Sequence, residues 1–144
     1  MSAYPALDAR AIEELAARLG AELAGDGGVE WAFGLGSCFE GLPHRDIDVA
    51  VRMAPDVRDD LAALGRLAER CEAVAGKPVD VRAIPPRVTD GPFAESAAAG
   101  RLVWARDPDA ALAWAELVIR KSWDVRALRR RAREDMREPR PSSR

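Results

Sequence analysis

Near the start of the chain, Ile12, Leu15, Ala16, Leu19 and Leu23 fall on one stripe, the spacing of an amphipathic helix. Asp8 stands where an N-cap belongs; Gly20 blurs the predicted end, and Gly25-Asp26-Gly27-Gly28 closes it. The period then changes to two. In VEWAFGL, Val29, Trp31, Phe33 and Leu35 share one face, which predicts a strand ending at Gly36-Ser37. The following SCFEG has room for at most a short helical turn before Leu42-Pro43. DIDVAVRM predicts a second strand, with Ile47, Val49, Val51 and Met53 on one side and Asp46, Asp48, Ala50 and Arg52 on the other.

After Pro55, Asp56 is placed to cap a second helix whose apolar face holds Val57, Leu61, Leu64, Ala68 and Cys71. Gly76-Lys77-Pro78 breaks it, VDVRAI predicts a third strand, and Pro85-Pro86 ends that strand. A short helix over 90–99 and a short strand RLVWA follow. From Asp107 to about Met136 the chain is helical in character, with Ser122-Trp123-Asp124 a place where the helix could break. Leu112, Ala115, Val118 and Ile119 are offered as its buried face, and Trp104, Trp114 and Trp123 are assigned mostly to the core. The reading is one α/β domain over 1–137 and a disordered tail over 138–144.

Composition narrows the class. A chain of 144 residues, 48% hydrophobic and 32% charged, fits one ordinary globular domain with a core large enough to need no staple. Charged residues interrupt every apolar run, so no membrane span is expected. The opening residues lack the basic-then-apolar order of a secretory signal. Cys38 and Cys71 are too few for a disulfide framework or a thiolate zinc site. A cytoplasmic protein is the simplest expectation. The net charge of −2 hides an asymmetry: residues 1–100 sum to −7 and residues 101–144 to +5. The basic run Arg126, Arg129, Arg130, Arg131 and Arg133 suits an acidic partner surface or water. It lacks interleaved aromatics to stack on bases, so direct nucleic-acid binding is the least favoured reading.

Candidate chemistry lies in GLGSCFEGLPHRDIDVAVRM. Asp46 and Asp48 are two apart on a predicted strand, so their carboxylates leave the same face about 7 Å apart at the backbone. Carboxylates that close repel unless a cation sits between them. Mg²⁺ suits the pair, because it takes a few carboxylates and fills its shell with water and phosphate oxygens. Asp80, between Val79 and Val81, can reach the same face if the second and third strands pair, as a further ligand or as the base for an attacking hydroxyl. Gly36-Ser37 offers free backbone N–H groups, a hydroxyl and close approach to the outer phosphates of a triphosphate. Asp107-Pro108-Asp109 repeats the Asp-x-Asp spacing but reads as a helix start, and Asp59-Asp60 reads as solvated. His44, the one histidine, reads as a polar loop residue ahead of a phosphate contact.

These motifs resemble the DNA polymerase β-type nucleotidyltransferase superfamily, with its Gly-Ser, gap, Asp-x-Asp and later aspartate. Within it the chain is most similar to the minimal nucleotidyltransferase proteins encoded beside HEPN toxins. VDVRAI, GRLVWARDPDA and KSWDVRALRRR match that group's third strand, fourth strand with its Asp-Pro turn, and C-terminal helix. The resemblance implies a small mixed β-sheet flanked by helices. It implies Gly36 and Ser37 on nucleotide phosphates, and Asp46, Asp48 and Asp80 as Mg²⁺ ligands and catalytic residues. It also implies transfer of AMP from ATP to a tyrosine hydroxyl of a HEPN ribonuclease toxin, silencing it in a hetero-oligomer. In two respects the chain departs from the family. Eight residues separate Ser37 from Asp46, a shorter loop than usual, and Cys38 and Glu40 stand where many members carry arginine. Two other functions compete: an antitoxin that neutralises by contact alone, and an antibiotic adenylyltransferase whose acceptor pocket would need a second subunit.

Overall fold

The structure is a computed structural model that describes residues 3–57 and 61–137. Helix α1 spans Ala9–Ala24 and begins as predicted: the Asp8 carboxylate accepts from the Ala11 N–H at 2.8 Å, satisfying one of the first-turn donors that a helix leaves open. Strands β1 (Val29–Leu35) and β2 (Ile47–Met53) follow, then α2 (Leu61–Ala75), β3 (Val79–Ala83), α3 (Pro92–Ala98), β4 (Arg101–Ala105) and α4 (Pro108–Arg137). The sheet order is β3-β2-β1-β4. β1 pairs antiparallel with both β2 and β4, while β2 and β3 run parallel. The sheet is therefore mixed, and the parallel pair needs the crossover that α2 supplies.

Helices cover both faces. On one, Leu15, Leu19 and Leu23 of α1 and Leu67 and Cys71 of α2 pack on Ala32, Val49, Val51, Val79 and Val81. On the other, Ala94, Ala97 and Ala98 of α3 and Ala111, Trp114, Ala115 and Val118 of α4 pack on Trp31, Phe33 and Ala50. Alternation along each strand feeds the two cores. Arg70 ties the first layer together, meeting Glu22 at 3.2 Å and Asp26 at 2.8 Å.

Several expectations change. Val29 leaves the Trp31–Phe33 face and joins the α1/α2 core, because the β1–β2 register shifts between Val29 and Trp31. Gly20 does not blur α1. It sits mid-helix where a Cβ would come within 2.6 Å of the Val103 carbonyl oxygen, so the glycine lets α1 lie against β4. Leu61 and Leu112 are exposed rather than facing a core, and Trp123 is 66% exposed. α4 runs unbroken through Ser122–Asp124, and beyond Ser122 it carries no core residue. Val57 lies in a turn, its N–H donating to the Ala54 carbonyl, and the first turn expected after Asp56 includes 58–60. Asp59-Asp60 and the tail 138–144 lie outside the described residues. Among the described residues no helix is long and apolar enough to cross a membrane.

The Gly20 contact generates a prediction with an inverted sign. Alanine is normally the better helix former by about 1 kcal/mol. Gly20→Ala nonetheless destabilises the fold by about 1–3 kcal/mol, because the methyl must displace β4 backbone. Urea unfolding measures this as a lower midpoint at unchanged slope.

Candidate active site

Register decides whether the predicted aspartates meet. The β2–β3 ladder places Asp48 opposite Asp80, and the β1–β2 ladder places Leu35 opposite Asp48. Residues paired across a ladder project to the same face. Leu35, Asp48 and Asp80 thus form one row, and it lies on the α3/α4 side of the sheet with Phe33, Ala50 and Arg82 as the next row. Asp46 lies exposed immediately before β2, and Asp80 is exposed on the edge strand β3.

The electrostatic load of the row falls on Asp48. Asp48 is half-buried, and its carboxyl is pushed above the ordinary value of 3.8, first by burial and then by the charges of Asp46 and Asp80; Arg82 opposes the rise. No hydrogen bond or ion pair engages Asp46, Asp48 or Asp80 among the described residues.

Gly36 completes the row. It follows β1 with a φ of +80°, a conformation that favours glycine, and a Cβ there would lie 2.6 Å from Asp48 Oδ2. Only a residue without a side chain lets the turn sit against this carboxylate. From Ser37 to Leu42 the chain turns tightly, with the Glu40 N–H donating to the Gly36 carbonyl at 3.1 Å and the Leu42 N–H to the Ser37 carbonyl at 2.9 Å. This is the short helical turn that the sequence allowed. Ser37 is exposed, whereas Cys38 points inward and is 1% exposed. Burial raises the Cys38 thiol; Lys77 lowers it and Asp48 raises it further.

His44 stands in the loop between β1 and β2, as expected, but it is buried. It is 4% exposed and pins the loop. Its backbone exchanges hydrogen bonds with Tyr4, the Tyr4 N–H donating to the His44 carbonyl at 2.7 Å and the His44 N–H to the Tyr4 carbonyl at 3.1 Å. Lys77 Nζ stands 3.0 Å from Nε2, and Nδ1 stands 3.0 Å from the Leu42 carbonyl. An ammonium only donates, so Nε2 is the acceptor toward Lys77 and Nδ1 is left to donate to the Leu42 carbonyl. Asp107 is the helix start that the sequence suggested, its carboxylate accepting from the Asp109 and Ala110 N–H groups.

Beside Gly36 a cleft of about 650 Å³ opens between the end of β1, α3 and α4, lined by Leu35, Gly36, Glu40, Glu95, Arg101 and Arg126 among others. Two glycines shape it. A Cβ on Gly34 would strike the Phe39 ring, and one on Gly100 would strike the Gly34 carbonyl. A smaller hollow of about 140 Å³ lies over the acidic row, between Leu35, Asp48, Asp80, Arg82 and Phe93.

Among the described residues no group of three His, Cys, Asp or Glu side chains stands close enough to hold a metal ion as a set. A Mg²⁺ ion does not require one. It is commonly bound through one or two carboxylates and completes its shell with water and substrate phosphate. A half-buried carboxylate at Asp48, facing the charges of Asp46 and Asp80 next to a turn without a Cβ, fits that donor set.

The fold, a mixed four-stranded sheet between two helical layers, is the one found in chains of toxin–antitoxin structures that include an MNT antitoxin. The chain is similar to a chain of the crystal structure of the toxin–antitoxin MntA–HepT, with a TM-score of 0.57 and 16% identity, covering 88% of this chain and 99% of that one. A toxin–antitoxin crystal structure with AMP-PNP matches with a TM-score of 0.56 and 20% identity over 92% and 100% of the two chains. A tri-AMPylated Shewanella oneidensis HEPN toxin in complex with MNT antitoxin matches with a TM-score of 0.56 and 18% identity over 88% and 99%. No family model matches the chain, and no curated protein does.

The repulsion at Asp48 has a measurable sign. A carboxyl whose folded value lies above its unfolded one costs stability once ionised, and the fold recovers that stability as pH falls. Without divalent cations, Asp48→Asn therefore melts higher than the parent at pH 7. The gap closes as pH falls through the raised value toward 3.8. Thermal melts in EDTA from pH 3 to pH 8 check this, and a gap of opposite sign at pH 7 contradicts it.

Proposed function

We propose that this protein is a Mg²⁺-dependent nucleotidyltransferase that moves AMP from ATP to a tyrosine hydroxyl of a partner HEPN ribonuclease toxin, and so acts as its antitoxin in a hetero-oligomer. The observation that carries the reading is the row in which Asp48 and Asp80 pair across β2 and β3 with Gly36 against the Asp48 carboxylate. The shared fold with chains of toxin–antitoxin structures, one of them with AMP-PNP and one holding a tri-AMPylated toxin, supports the choice of substrate and partner.

Each residue has a defined task. Gly36 and Ser37 present backbone N–H groups and a hydroxyl to the outer phosphates. Asp46 and Asp48, with Asp80 beside them, hold the cation. Bound there, Mg²⁺ supplies charge neutralisation at the phosphates. Asp80 takes the proton of the attacking hydroxyl. The acceptor oxygen forms a bond to the α-phosphorus, and the bond from that phosphorus to the bridging oxygen breaks. Pyrophosphate leaves with the electron pair, and the acceptor proton rests on the Asp80 carboxylate.

A second reading keeps the partner and drops the chemistry: neutralisation by contact alone. The turn favours it in one respect, since after Ser37 it carries buried Cys38 and exposed Glu40 and no cationic side chain. Titration of MgATP into the protein separates the two, because a contact-only antitoxin gives no heat and no thermal shift.

Asp46→Asn combined with Asp48→Asn keeps the fold and lowers transfer of α-phosphate label from ATP to the partner by about a thousandfold or more, the scale set by losing several kcal/mol of charge stabilisation. Gel autoradiography of the co-purified complex reads this. Label transfer at the parental rate by a folded double variant removes the site assignment.

A further inference from the structure

Arg82 takes no part in the functions assigned so far, yet it lies over the acidic row. It is two residues beyond Asp80 on β3, so both side chains leave the same face of the strand. Its guanidinium carbon sits 4.3 Å from the centre of the Phe93 ring, at the start of α3. Arg82, Phe93, Asp48, Asp80 and Leu35 together enclose the hollow of about 140 Å³. No hydrogen bond or ion pair holds the guanidinium among the described residues, and Arg82 is exposed. An arginine stacked by its face on a ring keeps its N–H edge free for an anion or a hydroxyl oxygen.

The order of the strands says which side of the reaction this edge serves. An in-line displacement puts the entering and leaving oxygens on opposite sides of the phosphorus. The phosphate-binding turn follows β1, Asp48 is on the neighbouring strand β2, and Asp80 is on β3, the free edge of the sheet. Strands in a sheet are about 4.8 Å apart, so the turn and Asp80 stand roughly 10 Å from one another with Asp48 between them. A leaving group held at the β1 end therefore requires an acceptor arriving over β3. Arg82 and Phe93 are the side chains that flank that approach next to Asp80.

We propose that Arg82, placed over the Phe93 ring, is the acceptor-binding residue of this site, donating to the acceptor's hydroxyl oxygen while Asp80 takes its proton. The ligand class is a phenolic hydroxyl, whose ring can lie against Phe93 and whose oxygen gains negative charge as it attacks. The inference rests on the nucleotidyl-transfer reading above. The bond changes are those already given, with Arg82 donating hydrogen bonds and transferring no proton, since a guanidinium stays protonated.

The test separates the two substrates. Transfer of α-phosphate label is measured in the full-length protein against graded MgATP and, separately, against graded HEPN partner protein carrying its tyrosine. Arg82→Ala raises the KM for the partner or lowers kcat by about tenfold, the scale of one charge-assisted hydrogen bond, while the KM for MgATP stays within about twofold. Phe93→Leu, which keeps an apolar side chain in α3, gives the same pattern at smaller size, and Arg82→Lys recovers part of the loss. Unchanged kinetics toward the partner overturn the proposal. So does an equal rise in the KM for MgATP, which would put Arg82 on the nucleotide. A parent protein that transfers no label at all removes the functional reading and this inference with it, a result distinct from an active parent whose Arg82→Ala variant is indifferent.

Discussion

The molecule is organised around a repulsion. Pairing β2 with β3 in parallel sets Asp48 directly beside Asp80, with Asp46 close enough to add its charge. Like charges opposite one another on paired strands weaken a sheet. The surrounding structure must hold that arrangement in place, and it does so from both sides. The apolar residues that alternate with the aspartates, Ile47, Val49, Val79 and Val81, are buried against α1 and α2. Slipping β3 by one residue to separate the charges would turn Val79 and Val81 toward the other face. The hydrophobic core thus fixes an acidic row that would not assemble by itself.

Close backbone approach is the second constraint, and glycine serves it at different depths. At Gly20 it brings a helix onto the sheet, and at Gly36 it brings a turn onto a carboxylate. The first contact is structural and the second faces the candidate chemistry. Both depend on a missing Cβ, and only Gly36 also needs its backbone conformation, with φ at +80°.

The strands and their order along the chain were legible because alternation is a local signal, and the expected reach of Asp80 to the Asp48 face is met by the pairing of β2 with β3. The small mixed sheet followed from the resemblance, and the structure has it. What escaped the sequence was long-range. Gly20 looked like an interruption because its neighbour, the Val103 carbonyl, is more than eighty residues away. Val29 fits the Trp31–Phe33 alternation until a register shift moves it. His44 read as a polar loop residue, and only the fold brings Tyr4 and Lys77 against it. The tryptophans were assigned mostly to the core on residue type, but Trp123 lies on an exposed side of α4. Arg82 could have been found, since period-two spacing puts it on the face of Asp80; its ring partner Phe93 could not.

The link between Tyr4 and His44 has a mechanical consequence. The loop that carries the chain from the Gly36-Ser37 turn to Asp46 is fastened near its far end to the segment ahead of α1, by two backbone hydrogen bonds and a lysine that reaches His44 and lies 5.1 Å from the Tyr4 ring centre. Lys77 itself precedes the strand that bears the third aspartate. Three stretches distant in sequence are thereby clamped at one point, so a pull on the leading segment is transmitted to the spacing between the turn and the acidic row.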